Sequence, residues 1–473
     1  MKKSHTFGKV IAAILIVCLT LAALATIGVS IWTISKKSPR EKTVLEADSY
    51  RNYADEIFLN TKDYPELSDL GLRLITGYDT SYRRGNETKA DTAEAIRRHF
   101  DPNKGILVIV HGVNAGYGRD GTGNMRSDSR VAEINKYGRE TEADYFKQDP
   151  NSLQTYDLAK YWHDGDYNVF YFHWENFSDY YSGNSSFDVL NTPNHVQERI
   201  WSTDTGVQAV YRRDGQPAQT EPGTALNGSV AEWFVGEYIR MVRAVEEVYP
   251  EYAAKDKDIR VAGHSMGGVL TDAGVTLLKL VAEKGQVDME MTPNRIAMLD
   301  SFIALVGGNY NLAWTGKPYA KGIDGNYLLA LQLLVEVFDV AVEYYTNEGF
   351  TVPFLNINGL TDFVFSEEDG VFHGAMSERA NRVLKYCPII ELSPYFVGVK
   401  NPIFTNGHNP VREWYFTSIL YDAPKTSDGV TVPTARMSDE DIKALRGKFF
   451  EMKNAQESDC ETVRCDDDTF ILH

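Results

Sequence analysis

From about Leu67 onward, short apolar runs alternate with stretches whose apolar residues recur at helical spacing. The runs GLRLI (71–75), GILVIV (105–110), YNVFYF (167–172), IRVA (259–262), IAML (296–299) and PFLNIN (353–358) predict strands. Several are apolar on both faces, as strands buried between two helical layers are. Between them, SVAEWFVGEYIRMVRAVEEVY (229–249) carries Val230, Trp233, Phe234, Met241, Val242, Val245 and Val248 on one helical stripe. VLTDAGVTLLKLVAEKG (269–285) reads as a second helix ending at Gly285. The alternation predicts an α/β class, with a mostly parallel central sheet and helices on both faces. Residues 175–228 and 308–350 interrupt it, and connections of that length in a compact domain serve as lids or caps. The second contains GNYLLALQLLVEVFDVAVEYY (325–345), apolar nearly all round, which predicts either a further core helix or a lid.

The pattern changes at the N-terminus. Residues 1–9 form a basic tail, and residues 10–34 hold no charged side chain over 25 positions. As a helix this run covers roughly 37 Å, enough to cross a bilayer core of about 30 Å. It predicts a transmembrane helix that anchors the protein in a membrane, with the body outside the cell. The competing expectation is a cleaved signal segment ending at Ala23-Leu24-Ala25 and a secreted protein. Residues 35–66 read as a polar spacer, 67–421 as the globular domain, and 422–473 as a C-terminal helix and acidic tail.

A length of 473 residues with 43% apolar content supports a large packed core. The net charge of −18 excludes a nucleic-acid surface, which needs a basic stripe. Four cysteines are too few for a disulfide scaffold, and Cys460 and Cys465 read either as a pair across a short loop or as two thiols. No HExxH, CxxC pair, Walker A or dinucleotide fingerprint occurs, so neither a metal nor a cofactor is expected. Asn86, Asn176, Asn184 and Asn227 lie in N-x-Ser/Thr sequons.

The chemistry concentrates at GHSMGG, residues 263–268, between the strand run 259–262 and the helix from 269. A serine between small residues at a strand-to-helix turn can hold its hydroxyl out as a nucleophile; a plain glycine-rich loop is the bland reading. With that strand before it and that helix after it, the stretch resembles the nucleophile elbow of the α/β-hydrolase family, over roughly residues 67–421. The resemblance implies that fold, Ser265 as nucleophile, and an acid and then a histidine following it in the chain. Of the histidines after Ser265, His408 in FTNGHNPVREWYF resembles the family's base after the last strand. His373 is the alternative base, and His473 closes the acidic tail. Asp362 in GLTDFVF resembles the acid after the penultimate strand, and Asp300 in IAMLDSF is the alternative acid one strand earlier. His111-Gly112 at the end of ILVIVHG resembles the family's oxyanion loop, which implies backbone N–H donors at Val113 and Met266. His111 and His264 read as structural. The resemblance implies an ester hydrolase acting on a small-molecule or lipid ester, which the run 10–34 would anchor in a membrane and for which no metal motif is present. A same-fold peptidase, amidase or acyltransferase would use the same residues. A surface binding protein built on the scaffold is the non-catalytic alternative.

Overall fold

The computed structural model describes residues 51–68, 70–76, 87–112, 158–178, 196–197, 199–201, 208–211, 219–222, 225–252, 257–301, 323–347, 363–366, 371–374, 377–392, 408–454 and 469–473. All of them belong to one compact unit, Leu45–His473. Its strands in chain order are β1 (Gly71–Ile75), β2 (Glu87–Lys89), β3 (Gly105–Val110), β4 (Tyr167–His173), β5 (Gln208–Tyr211), β6 (Gln219–Pro222) and β7 (Ile259–His264). There follow β8 (Arg295–Leu299), β9 (Ala341–Asn347), β10 (Phe363–Ser366), β11 (Val371–Gly374), β12 (Ile389–Leu392), β13 (Phe449–Asn454) and β14 (Thr469–Leu472).

Ten of these form one sheet in the order β14-β13-β12-β9-β8-β7-β3-β4-β1-β2. The pairings from β4 through to β13 are parallel, and β1, β2 and β14 add antiparallel edges. The expected mostly parallel α/β sheet is therefore present. Strand side chains alternate between two cores. Ile106, Val108 and Val110 join one with Val261, Met298 and Tyr344. Leu107 and Ile109 join the other with Ala262, Leu299 and Tyr345.

The first face is covered by α1 (Ala93–His99), α3 (Val230–Val248), α4 (Met266–Ala282), α5 (Ile323–Glu336) and α6 (Ser377–Tyr386). The second carries α2 (Leu158–Asp164) and α7 (His408–Thr417), with Trp162 and Trp414 fully buried. Helix α3 starts on a capping box: Ser229 accepts from the Glu232 N–H, and Glu232 accepts from the Ser229 N–H. A short helix, α8 (Asp439–Ala444), precedes β13.

Three expectations change. The apolar stretch 325–345 is not one helix: α5 stops at Glu336, Asp339 turns at φ 52°, and Ala341–Asn347 runs as β9. β9 fills the sheet position between β8 and β12, so the second supposed insertion supplies part of the core. The C-terminal region is more than a helix and a tail, because β13 and β14 extend the same sheet. His473 is held there, its N–H donating to Phe449 O at 2.8 Å and its Nε2 2.8 Å from Glu451 Oε2. The first insertion, 175–228, contributes a two-stranded β5–β6 ribbon, and its Phe177, Val196, Ile200 and Trp201 pack into the first core.

Among the described residues no helix is long and apolar enough to cross a membrane; the expected anchor at 10–34 lies outside them. So do the run 353–358, the sequons at Asn86 and Asn184, and Cys460 and Cys465. Asn176 is 4% exposed, and Asn227 accepts from the Phe58 N–H at 2.9 Å.

Candidate active site

Strand β7 ends at His264 and helix α4 begins at Met266, so Ser265 alone makes the turn between them. Its backbone takes φ 56° and ψ −125°, a combination that L residues adopt only under strain of about 1–3 kcal/mol. The surroundings enforce it. The Ser265 N–H donates to Leu299 O at 2.9 Å, and Ser265 O accepts from the Gly268 N–H at 3.0 Å. A Cβ on Gly263 would stand 2.3 Å from Gly267 O, and one on Gly267 would stand 2.3 Å from Val110 O. The first turn of α4 therefore lies directly on the ends of β3 and β7, an approach open only to glycine.

Gly112 completes the contact from the other side. A Cβ there would be 2.6 Å from Ser265 Cβ and 3.2 Å from its Oγ, so the chain leaving β3 passes against the serine side chain. His111 fixes that passage. Its Nδ1 lies 2.8 Å from Gly112 O, and its Nε2 receives the Trp174 backbone N–H at 3.3 Å. With Nε2 accepting, Nδ1 carries the proton and donates to the carbonyl. Trp174 Nε1 in turn donates to His111 O at 3.0 Å, and the His111 ring stacks on Tyr171 at 5.6 Å. Both ring nitrogens are thus engaged in holding the backbone. His264 is buried as the last residue of β7.

Met266, first in α4, belongs to the turn of N–H groups that a helix leaves without intrahelical acceptors, where the helix dipole also favours negative charge. Val113, the other expected oxyanion donor, lies outside the described residues.

Because the central strands are parallel, Ser265 after β7 and Asp300 after β8 sit at the same edge of the sheet. Asp300 is buried, takes φ 45°, donates its N–H to Tyr345 O at 2.7 Å, and accepts from Thr346 Oγ1 at 3.3 Å. Asp362 falls between β9 and β10, outside the described residues. His408 is the first residue of α7, the helix that follows β12 across residues 393–407. His373 pairs with Val364 in a separate β10–β11 ribbon, tied to α6 where the Phe372 N–H donates to Asn381 Oδ1 at 2.8 Å.

The sequence reading missed Trp174 and the role of His111 as its partner. A buried tryptophan right after a strand was the available signal, but which backbone it would grip depends on β3 and β4 being neighbours. A cavity of about 460 Å³ lined by Tyr161, Tyr167, Arg260 and Arg436 opens at the opposite end of the strands. Arg260 and Ser265 are five positions apart on one extended chain, about 16 Å, so this cavity is not part of the Ser265 site. Among the described residues no group of three or more His, Cys, Asp or Glu is arranged to hold a metal. No family model matches the chain, and no curated protein does.

Proposed function

We propose that this chain is a serine hydrolase that cleaves carboxylic esters, small or lipid, through an acyl-enzyme. Ser265 is the nucleophile and His408 the base that takes its proton. Asp362 orients the imidazole, and the N–H groups of Met266 and Val113 receive the oxyanion. The observation that carries this reading is the backbone of Ser265: a buried non-glycine residue held at positive φ between strand and helix, with Gly112 against its side chain. Strain of this kind is kept where the surroundings over-determine it, and it clusters at active sites. The strand order also supports the reading, since β7 lies centrally beside β3, and the segments after β8, β9 and β12 carry Asp300, Asp362 and His408 in that order.

His111 has a part in the same scheme. A trans peptide carries its N–H opposite its C=O, so the bond from His111 to the Gly112 carbonyl would orient the following amide, that of Val113. A second acid assignment, Asp300, is favoured by its own positive φ and its place one strand from Ser265. The apolar run 10–34 supports a membrane anchor with the hydrolase domain outside the cell.

A fluorophosphonate probe on the full-length protein tests the class. Labelling that disappears in Ser265→Ala and His408→Ala is expected, together with ester turnover that disappears in both. Undiminished labelling of Ser265→Ala overturns the mechanism. A large loss in Asp300→Asn with a mild one in Asp362→Asn moves the acid to the earlier strand.

A further inference from the structure

Helices α4 and α5 lie side by side on the first face of the sheet, and each connects parallel strands, so the two run in the same direction. Thr276 Oγ1 of α4 donates to Ala330 O of α5 at 3.4 Å, which sets their register. One turn earlier, at i−4 on each helix, stand Asp272 and Asn326. One turn earlier still on α4 is Gly268, where a Cβ would lie 1.7 Å from Ser301 Oγ. Ser301, Asp272 and Asn326 therefore share one seam that begins beneath the Ser265 turn.

Three polar side chains on this seam are deeply buried. Asp272 and Asn326 are 0% exposed and Ser301 1%. Among the described residues, Asp272 Oδ1 and Oδ2, Asn326 Oδ1 and Nδ2, and Ser301 Oγ have no hydrogen-bond partner. Burial pushes the Asp272 carboxyl well above the ordinary aspartate value, and among the described residues no cation offsets that push. On the same seam lie Asn326 of α5 and Ser301 after β8, while the buried Cys387 thiol after α6 feels the Asp272 charge. Asn326 and Ser301 are neutral and bear oxygen. A carboxyl in such a place either keeps its proton or takes one positive charge beside it, because a bare buried carboxylate is prohibitive.

We propose that Asp272, Asn326 and Ser301 form an internal site for one monovalent cation of sodium size. The donors are all hard oxygens, the class that binds hard cations. One carboxylate matches a single charge, whereas a divalent ion in a dry interior would stay under-neutralised. As the pH falls a proton replaces the ion on Asp272. The occupied site ties α4 to the strand end that carries Asp300, stiffening the base of the Ser265 turn. It stands independently of the chemistry at Ser265.

The test compares the thermal midpoint of the full-length protein in sodium chloride and in choline chloride at equal ionic strength and pH 8. Sodium should raise the midpoint by about 3 °C. The shift should shrink as the pH is lowered and vanish in Asp272→Asn. Asn326→Leu, which removes a donor and leaves the carboxylate, should at least halve it, and this variant decides the matter if Asp272→Asn does not fold. Equal midpoints in the two salts for the native protein, or an unchanged sodium shift in Asn326→Leu, overturn the proposal and leave Asp272 as a buried carboxylic acid.

Discussion

The two ends of the central strands handle buried polarity in opposite ways. At their N-terminal ends, buried arginines meet carboxylates. Arg295 and Glu343, neither exposed, meet through two bonds of 2.9 Å. Thr434 O takes a further Arg295 proton at 2.8 Å, and Tyr345 OH donates to Glu343 Oε2 at 2.9 Å. Arg260 bonds Asp258 and lies over the Trp162 and Tyr167 rings at 5.8 and 5.3 Å. At the C-terminal ends the backbone itself is strained, at Ser265 and Asp300, and glycines let it pass where no Cβ fits. Positive φ occurs at both ends, at Asp166 and Asp339 as well as at Ser265 and Asp300. What sets the two ends apart is the buried ion pairing that clamps one and, at the other, the serine turn crowded by glycines.

Breaking the strained end should cost activity first. Ser265→Ala and His408→Ala are each expected to lower ester turnover by about 10⁴-fold or more, with the double variant little worse than either, because such residues act as a unit. A thermal midpoint near the native one would show that the clamp is intact.

Breaking the clamped end should do the reverse. Arg295→Met leaves Glu343 buried with Tyr345 but without its cation, and should lower stability by about 3–5 kcal/mol in a denaturant titration. Residual activity per folded molecule should stay near native. If the double change Arg295→Met, Glu343→Leu recovers most of that loss, the pair matters for where charge is placed more than for net stability.

Gly263→Ala probes the junction of the two regimes. Its methyl would meet the Gly267 carbonyl, which is backbone and cannot swing aside, so a loss of about 1–3 kcal/mol is expected. The turn must shift to accommodate it, so turnover should fall by more than the stability change accounts for.

The smallest effect is a pH dependence at the clamp. Burial raises the Asp258 carboxyl, but the hydrogen bonds and charge of Arg260 outweigh it and hold the value below the ordinary one. A depressed folded value means stability that is present above the unfolded pKa of about 3.9 and lost as the pH falls through the folded one. Asp258→Asn should therefore flatten the acid limb of the stability profile and leave the neutral region nearly level.

Much of this contrast was legible in the residues. Continuous apolar runs announced β1, β3, β4, β7 and β8 as buried strands, and the serine between glycines marked the turn after β7. What escaped was set by distant partners. AVEYYTN reads as the tail of an apolar helix until Arg295 on the neighbouring strand gives Glu343 a reason to be buried. FFEMKN and TFIL look like pieces of a polar tail, since β13 has only β12 on one side and the short β14 on the other. The clamp was invisible for the same reason: a lone arginine in a strand says nothing of the glutamate it will meet. His111 and Trp174 are far apart in the chain and touch only because β3 and β4 are paired.

The position of β7 has a consequence for how the molecule assembles. Val110 and Gly263 are neighbours in the sheet and 153 positions apart in sequence (263 minus 110). Pairing them joins distant parts of the chain, with β4 between them in sequence and paired to the other side of β3. Sheets built from such non-local contacts form slowly and expose unpaired strand edges meanwhile. Yet the closure cost grows only with the logarithm of loop length, about 0.6 kcal/mol per doubling. The connections between the elements of this segment can therefore lengthen at little thermodynamic penalty, whereas β4 and α3 within it are fixed by the sheet and the core.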